Sequence, residues 1–292
     1  MRVLLTGGTG FIGTPVARAL RAAGHDVTIV SRRPGFVPEK AIPWDGVRDA
    51  MPETDAVVNL AGTSVAEGRW TSARKADILN SRVDGTRVVV DAIREASKRP
   101  SVLVNASAIG WYGPHGDEEL DESAPAGTGF LADVCRAWEA AAWPAQDLGV
   151  RTVAVRIGVV IGKGGGPLEK MLFPFRAGLG GPIGDGKQWV SWIHLADVVG
   201  LVLAAVSSDA YTGPVNATAP TPLRNRDFTA SLAKAVDRKA FLPVPGFALR
   251  LAVGEFADAL ITGQRVIPAA AMAAGYEFKE PDLDAALVPL VF

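Results

Sequence analysis

Thr6-Gly7-Gly8-Thr9-Gly10-Phe11-Ile12-Gly13 follows the short apolar run Val3–Thr6 and leads directly into a segment of helical period. A strand that turns on glycines straight into a helix is built to receive phosphate. Gly7 permits the tight turn, Gly10 lets the backbone come close to a pyrophosphate, and Gly13 lets the helix pack near the strand. The helix start adds unpaired N–H groups and the positive end of the peptide dipoles. Thr6, Gly7, Gly10, Phe11, Ile12 and Gly13 are therefore the expected walls of a dinucleotide site.

Working outward, strand-like runs at Val27–Ser31, Ala56–Ala61, Val102–Ser107 and Thr152–Ile157 alternate with helical segments at Phe11–Ala23, Ala73–Ser97 and Leu131–Leu148. Gly24 and Gly149 stand just past two of these helices, where a left-handed residue ends a helix. Alternating strand and helix predicts an α/β fold, a Rossmann doubly wound parallel sheet, with ligands beyond the carboxyl ends of its strands. After Gly162 the pattern changes. Glycine and proline cluster in Gly162–Pro167 and Gly178–Gly186, then come a strand-like Trp189–Ile193 and helical segments from Leu195, at Arg226–Val236, Phe247–Leu260 and Pro268–Ala274. The expectation is a dinucleotide-binding domain over 1–162 and a smaller, mostly helical substrate lobe over 163–292, interleaved with the main sheet.

The second strand ends in Ser31-Arg32-Arg33, eighteen to twenty residues past Gly13. An NAD site usually carries an acid here for the ribose hydroxyls. Two arginines and a serine instead suit a 2′-phosphate, which a guanidinium can grip with two parallel bonds. The cofactor expected is NADP, as NADPH, with NAD disfavoured.

A net charge of −1 and 21% charged residues give no basic footprint for nucleic acid or an anionic membrane. The longest apolar run, Val198–Val206, is too short to span a bilayer, and the N-terminal apolar run is too short for a secretion signal. The single cysteine, Cys135, fits a reducing compartment. A soluble, cytoplasmic protein with a small-molecule substrate is expected. No His/Cys/carboxylate cluster has metal-ligand spacing.

These motifs resemble the extended short-chain dehydrogenase/reductase superfamily. Asn59-Leu60-Ala61-Gly62 is similar to its cofactor-lining fourth-strand motif, which adds Leu60, Ala61 and Gly62 to the expected cofactor residues. Ser107-Ala108-Ile109-Gly110-Trp111-Tyr112-Gly113 resembles the fifth-strand motif that carries the active-site serine. More closely, Arg69-Trp70, Ser81-Arg82 with Gly85-Thr86, Cys135 to Glu139, Gln188-Trp189 with Ser191 to His194, and Gly263 to Val266 with Pro268 resemble an atypical epimerase-like subgroup and its C-terminal domain. The resemblance implies an NAD-dependent epimerase/dehydratase-like fold.

The superfamily's acid/base tyrosine works because neighbouring positive charge favours its phenolate. This chain departs from that machinery. Leu131 to Cys135 occupy the place of the Tyr-x-x-x-Lys pair, and Arg82 stands where an asparagine is usual. Two functions remain open. One is an NADP(H)-binding oxidoreductase acting on a small carbonyl or sugar-related substrate. Its catalytic residues would be Ser107 to polarise the carbonyl, Tyr112 as general acid and Arg82 to orient the substrate. The other is an NADPH-binding sensor or regulatory module without turnover. Cys135 is read as a packed apolar side chain, His194 as a helix cap or a partner of Asp197, and Arg156 as a structural partner beneath the site. About half of Trp70, Trp111, Trp189 and Trp192 are expected to touch a pocket.

Overall fold

In the computed structural model, which describes residues 1–291, alternate residues of each central strand face two different helix layers. The strands are β1 (Arg2–Thr6), β2 (Asp26–Val30), β3 (Ala41–Ile42), β4 (Ala56–Asn59), β5 (Val102–Ala108), β6 (Arg151–Ile157) and β7 (Gly213–Ala217). They lie in the order 3-2-1-4-5-6-7, and every pairing is parallel. Strand order reverses between β1 and β4, and that reversal opens a crevice at their carboxyl ends.

Val3, Leu5, Val58, Val104 and Val155 pack on one face beneath the helices Gly13–Ala22 and Leu195–Ser207, which contribute Val16, Leu20, Val198, Leu201 and Val202. Leu4, Val57 and Leu103 face the other way, towards Val89, Val90 and Ile93 of the helix Ser72–Glu95 and Ala142 of the helix Phe130–Ala142. Because both faces are covered, the strands read as nearly continuous apolar runs.

Several expected elements break where backbone chemistry requires it. The helix expected over 131–148 ends at Ala142, and a short helix Pro144–Asp147 follows a turn at Trp143. Pro144 has no N–H to continue the ladder. The segment expected over 247–260 is two helices, Gly246–Val253 and Phe256–Ile261, separated at Gly254 with φ 66°. Trp189–Ile193 forms two short strands, Trp189–Val190 and Trp192–His194.

A third cluster of buried residues joins Leu168, Leu172, Trp192, Phe228, Leu232 and Leu287, and forms the core of the helical C-terminal part. The chain does not leave the sheet when it enters that part. Helix Leu195–Ser207 and β7 both return to the central sheet from beyond residue 162. Among the described residues no helix is long and apolar enough to cross a membrane.

Candidate functional site

The turn after β1 is as tight as its glycines allow. Gly7 has φ 67°, and a Cβ there would lie 2.7 Å from the backbone of Leu60. A Cβ on Gly13 would lie 2.0 Å from the Gly7 carbonyl oxygen, so only glycine lets the helix start here. The Gly10 N–H donates to Gly7 O at 3.0 Å and Thr14 N–H donates to Gly10 O at 2.9 Å. The ladder thus starts at Gly10, and Phe11, Ile12 and Gly13 occupy the first turn, whose N–H groups lack intrahelical acceptors. A loop with positive φ at Gly164, Gly165 and Gly166 passes over Phe11, close enough that a Cβ on Gly166 would strike the ring at 2.5 Å. This cradle, which side chains would fill, fits the pyrophosphate of a dinucleotide.

At the end of β2, Ser31 Oγ accepts from the Arg33 N–H at 3.1 Å and bends the chain. Arg32 and Arg33 are exposed, and among the described residues neither takes part in an ion pair. Two unpaired guanidinium groups beside a nucleotide crevice suit a phosphate group.

The end of β4 is held by a buried polar chain. Thr6 Oγ1 donates to Asn59 Oδ1 at 2.5 Å, and Asn59 Nδ2 donates to Thr86 Oγ1 at 2.8 Å and to Asn105 Oδ1 at 2.6 Å. Trp138 Nε1 also donates to Thr86 Oγ1, and the Ala61 N–H donates back to Thr6 Oγ1, both at 3.1 Å. Buried groups satisfied in this way fix Leu60 and Ala61 against the glycine turn, while Gly62 faces Arg82.

Arg82 lies beside Gly62, where an added Cβ would meet its Cζ at 3.1 Å. Its Nη1 donates to Thr63 O at 2.9 Å and Ile78 O at 3.0 Å, and the guanidinium carbon stands 5.0 Å from the Trp138 ring centroid. Burial lowers its pKa. No carboxylate lies within ion-pair distance of it among the described residues. Carbonyl dipoles and an aromatic face hold this cation, and the Nε and Nη2 edge of the guanidinium is left for another acceptor.

The residues expected from β5 are arranged differently. Ser107 is buried, and its Oγ donates to Glu139 Oε1 at 2.6 Å. Glu139 is gripped at both oxygens by Arg156, with Nε to Oε1 at 2.9 Å and Nη2 to Oε2 at 3.0 Å. Tyr112 is also buried. Its hydroxyl donates to Asn216 Oδ1 at 2.7 Å and accepts from Arg156 Nη1 at 3.1 Å. Burial pushes the phenol up to about 12, against the pull of the nearby Arg156 charge. Ser107 and Tyr112, expected as a relay, are thus both bonded to the Arg156–Glu139 pair in this structure. Both residues are buried, and a phenol whose pKa is raised is a poorer proton donor near neutrality.

Glu139, Asn216 and Glu122, whose carboxylate accepts from the Asn216 and Ala270 N–H groups, were not singled out as site residues. The readable signal was strand parity. Ser107 sits two residues from Asn105, on the face that looks towards the helix Phe130–Ala142, and in register with Arg156.

Leu131 stands in the first turn of that helix against Gly110, where a Cβ would touch Leu131 Cβ at 3.1 Å and Cys135 Sγ at 3.6 Å. The Cys135 thiol is buried, donates to Ala108 O at 3.5 Å and is pushed up to about 11 by burial, as befits a packed side chain. His194 caps the helix Leu195–Ser207, its Nδ1 accepting from the Ala196 N–H at 3.2 Å, and burial lowers its pKa. Asp197 instead accepts from the Lys279 and Glu280 N–H groups.

The tryptophans divide. Trp192 is core, and Trp111 lies against Arg156 at 4.0 Å. Trp189 lies between Arg224 and Arg265 at 4.0 and 4.8 Å. Trp70 packs edge-on to Phe130 at 4.9 Å and against Phe256 at 5.5 Å.

Residues 3–216 match the NAD dependent epimerase/dehydratase family, and residues 244–289 match a domain of unknown function, DUF1731. The chain is 41% identical to epimerase family protein SDR39U1 of Mus musculus, over all of both chains. It is 42% identical to epimerase family protein MT2273 of Mycobacterium tuberculosis, over 98% of this chain and 96% of that one. The crystal structure of human SDR39U1 (isoform 2) with NADPH is similar at a TM-score of 0.93 and 38% identity, covering 100% of this chain and 99% of that one. With its sheet order, its glycine turn and these full-length likenesses, this chain belongs to the NAD dependent epimerase/dehydratase family.

Proposed function

We propose that this protein binds NADPH across the crevice and reduces the carbonyl of a small substrate whose oxygen is held by Arg82. The adenosine end would rest against Ser31, Arg32 and Arg33, the pyrophosphate on the turn Gly7–Gly13, and the nicotinamide beyond Leu60–Gly62. The human relative crystallised with NADPH supports that choice of cofactor. When bound, the cofactor supplies the hydride.

The observation that carries the reading is the Arg82 guanidinium, half-buried at the crevice with no acidic partner among the described residues. As hydride reaches the carbonyl carbon, the C=O π electrons collect on oxygen. A fixed positive donor in a partly dry site stabilises that charge strongly. Arginine does not give up its proton, so water protonates the alkoxide to give the alcohol. Leu131 and the sealed Tyr112 have no part in that step.

A second reading, NADPH binding without turnover, is favoured by one observation. Ser107, Tyr112 and Leu131 leave no proton donor of the usual kind on the crevice wall.

One experiment separates the two. NADPH and NADH are titrated by fluorescence, and a panel of carbonyl compounds is then screened for NADPH oxidation. NADPH should bind at least about tenfold more tightly, since charge-assisted bonds to a phosphate are worth roughly 1.5–3 kcal/mol each. Arg82→Met should cut turnover about 10²–10³-fold with NADPH affinity unchanged, the scale of a lost oxyanion donor, and Arg82→Lys should restore part of it. Equal affinity for the two cofactors would remove the phosphate role of Arg32 and Arg33. Stoichiometric NADPH binding with no turnover on any carbonyl would leave the sensor reading.

A further inference from the structure

Resting on the reading of the crevice as an NADPH and carbonyl site, we infer that its substrate carries an apolar, aromatic-sized body and is not a nucleotide sugar. The position that could have held a phenol is Leu131, pressed against Gly110 at the end of β5. Directly beside it, Phe130 begins the helix, and Trp70 packs on Phe130 at 4.9 Å and on Phe256 at 5.5 Å between ring centroids. Ile109, Phe130, Leu131, Trp70 and Phe256 are all only half-buried, so their apolar faces are not used up by packing. A wall of this kind binds by area removed from water and by ring stacking, and offers few hydrogen bonds to sugar hydroxyls.

Several polar groups at the wall's rim already have partners, although Arg74 Nε does not. Trp70 Nε1 donates to Val65 O at 2.8 Å. Lys75 lies 5.4 Å over the Phe130 ring and pairs with Glu255. Arg74 pairs with Asp77 at 2.8 Å, and Arg69 donates to Leu251 O at 3.1 Å. An apolar group seated on the wall would leave these contacts intact.

The same bond from Arg69 ties the wall to the helix Gly246–Val253, where Phe247 and Leu251 stand one turn apart and are each 76% exposed. Two large apolar side chains left in water at the mouth extend the surface along which such a substrate enters. Arg82 then holds the carbonyl oxygen at the polar end, and the aromatic wall holds the rest.

The test is calorimetric titration of the NADPH-saturated protein with two probes, 2-acetylnaphthalene as a bulky aromatic ketone and UDP-glucose as a nucleotide sugar. The ketone should bind saturably and UDP-glucose should not. Phe130→Ala and Leu131→Asp should each weaken the ketone by at least about tenfold, the effect of losing a ring contact or placing a charge in the wall. NADPH affinity, unchanged in both variants, reports that they are folded. Tighter binding of UDP-glucose than of the ketone, or a ketone affinity that ignores both substitutions, overturns the inference. Failure of the unmodified protein to bind NADPH at all is seen before either probe is added, and it overturns the cofactor reading instead.

Discussion

With exposures of only 3% and 1%, Arg156 and Glu139 form an ion pair that the fold has taken almost wholly out of water. Such a pair holds only if its remaining donors and acceptors are met, and here Ser107, Tyr112 and the Glu122 carbonyl meet them, with Asn216 accepting from Tyr112 in turn. Tyr112→Phe removes one link and leaves Asn216 Oδ1 and Arg156 Nη1 short of a partner. It should cost about 1–3 kcal/mol in urea unfolding while leaving NADPH affinity and any carbonyl reduction within a few-fold of normal. A hundredfold loss of turnover would return Tyr112 to the reacting centre.

The phenol also makes stability depend on pH. Its folded pKa is raised to about 12 from the ordinary phenol value of about 10, so its contribution is complete below pH 10 and lost as pH climbs towards 12. Burial raises Tyr211 and Tyr276 too, and these are the chain's only other tyrosines. Unfolding followed from pH 8 to 12 should therefore show a steep alkaline decline that Tyr112→Phe makes shallower. No change in the slope would mean the phenol is not sealed. At this scale the sequence made Ser107 and Tyr112 visible as residue types near a strand end, but not their direction. Their partners Glu139 and Asn216 lie 32 and 104 residues away, a distance over which spacing carries no signal.

Among the elements, the cofactor turn was the most legible, because each of its glycines answers a local steric demand that needs no distant partner. Gly13→Ala tests this. With 2.0 Å between the new Cβ and Gly7 O, the helix must move away from the turn. NADPH binding should fall below detection, and stability should drop by about 1–3 kcal/mol, as for an overpacked core site, read from titration and urea midpoints. Unaltered NADPH affinity would place the dinucleotide elsewhere. Element ends were less legible. Periodicity carried the helices through Trp143 and Gly254, whereas a missing N–H at Pro144 and a left-handed residue at Gly254 ended them. The two-residue strand Ala41–Ile42 has too few residues to show any period, and it exists because β2 offers it an edge.

For the whole molecule, the division of the chain at residue 162 follows composition, while the central sheet follows partnership. β7 pairs with β6 along Val153 to Ile157, and Val198, Leu201 and Val202 cover the face that Val155 presents. The fragment 1–162 would leave that face and the β6 edge open to water, at about 25 cal/mol per Å² of apolar surface. It should fail to melt cooperatively, bind a hydrophobic dye and not bind NADPH. A cooperative, NADPH-binding fragment would show that the first 162 residues are a domain in their own right.

The late arrival of β7 also sets a timetable. On a ribosome the central strand β1 emerges first, yet the sheet it belongs to is completed only when Ala217 has been made. At ordinary elongation rates of about 5–20 residues per second, roughly 10–40 s pass in which nascent parallel strands have an unpaired edge. Throughout that interval the nascent chain depends on whatever in the cell shields such edges, and the glycine turn at Gly7–Gly13 waits for the loop Gly164–Gly166 that passes over Phe11 and for the last strand.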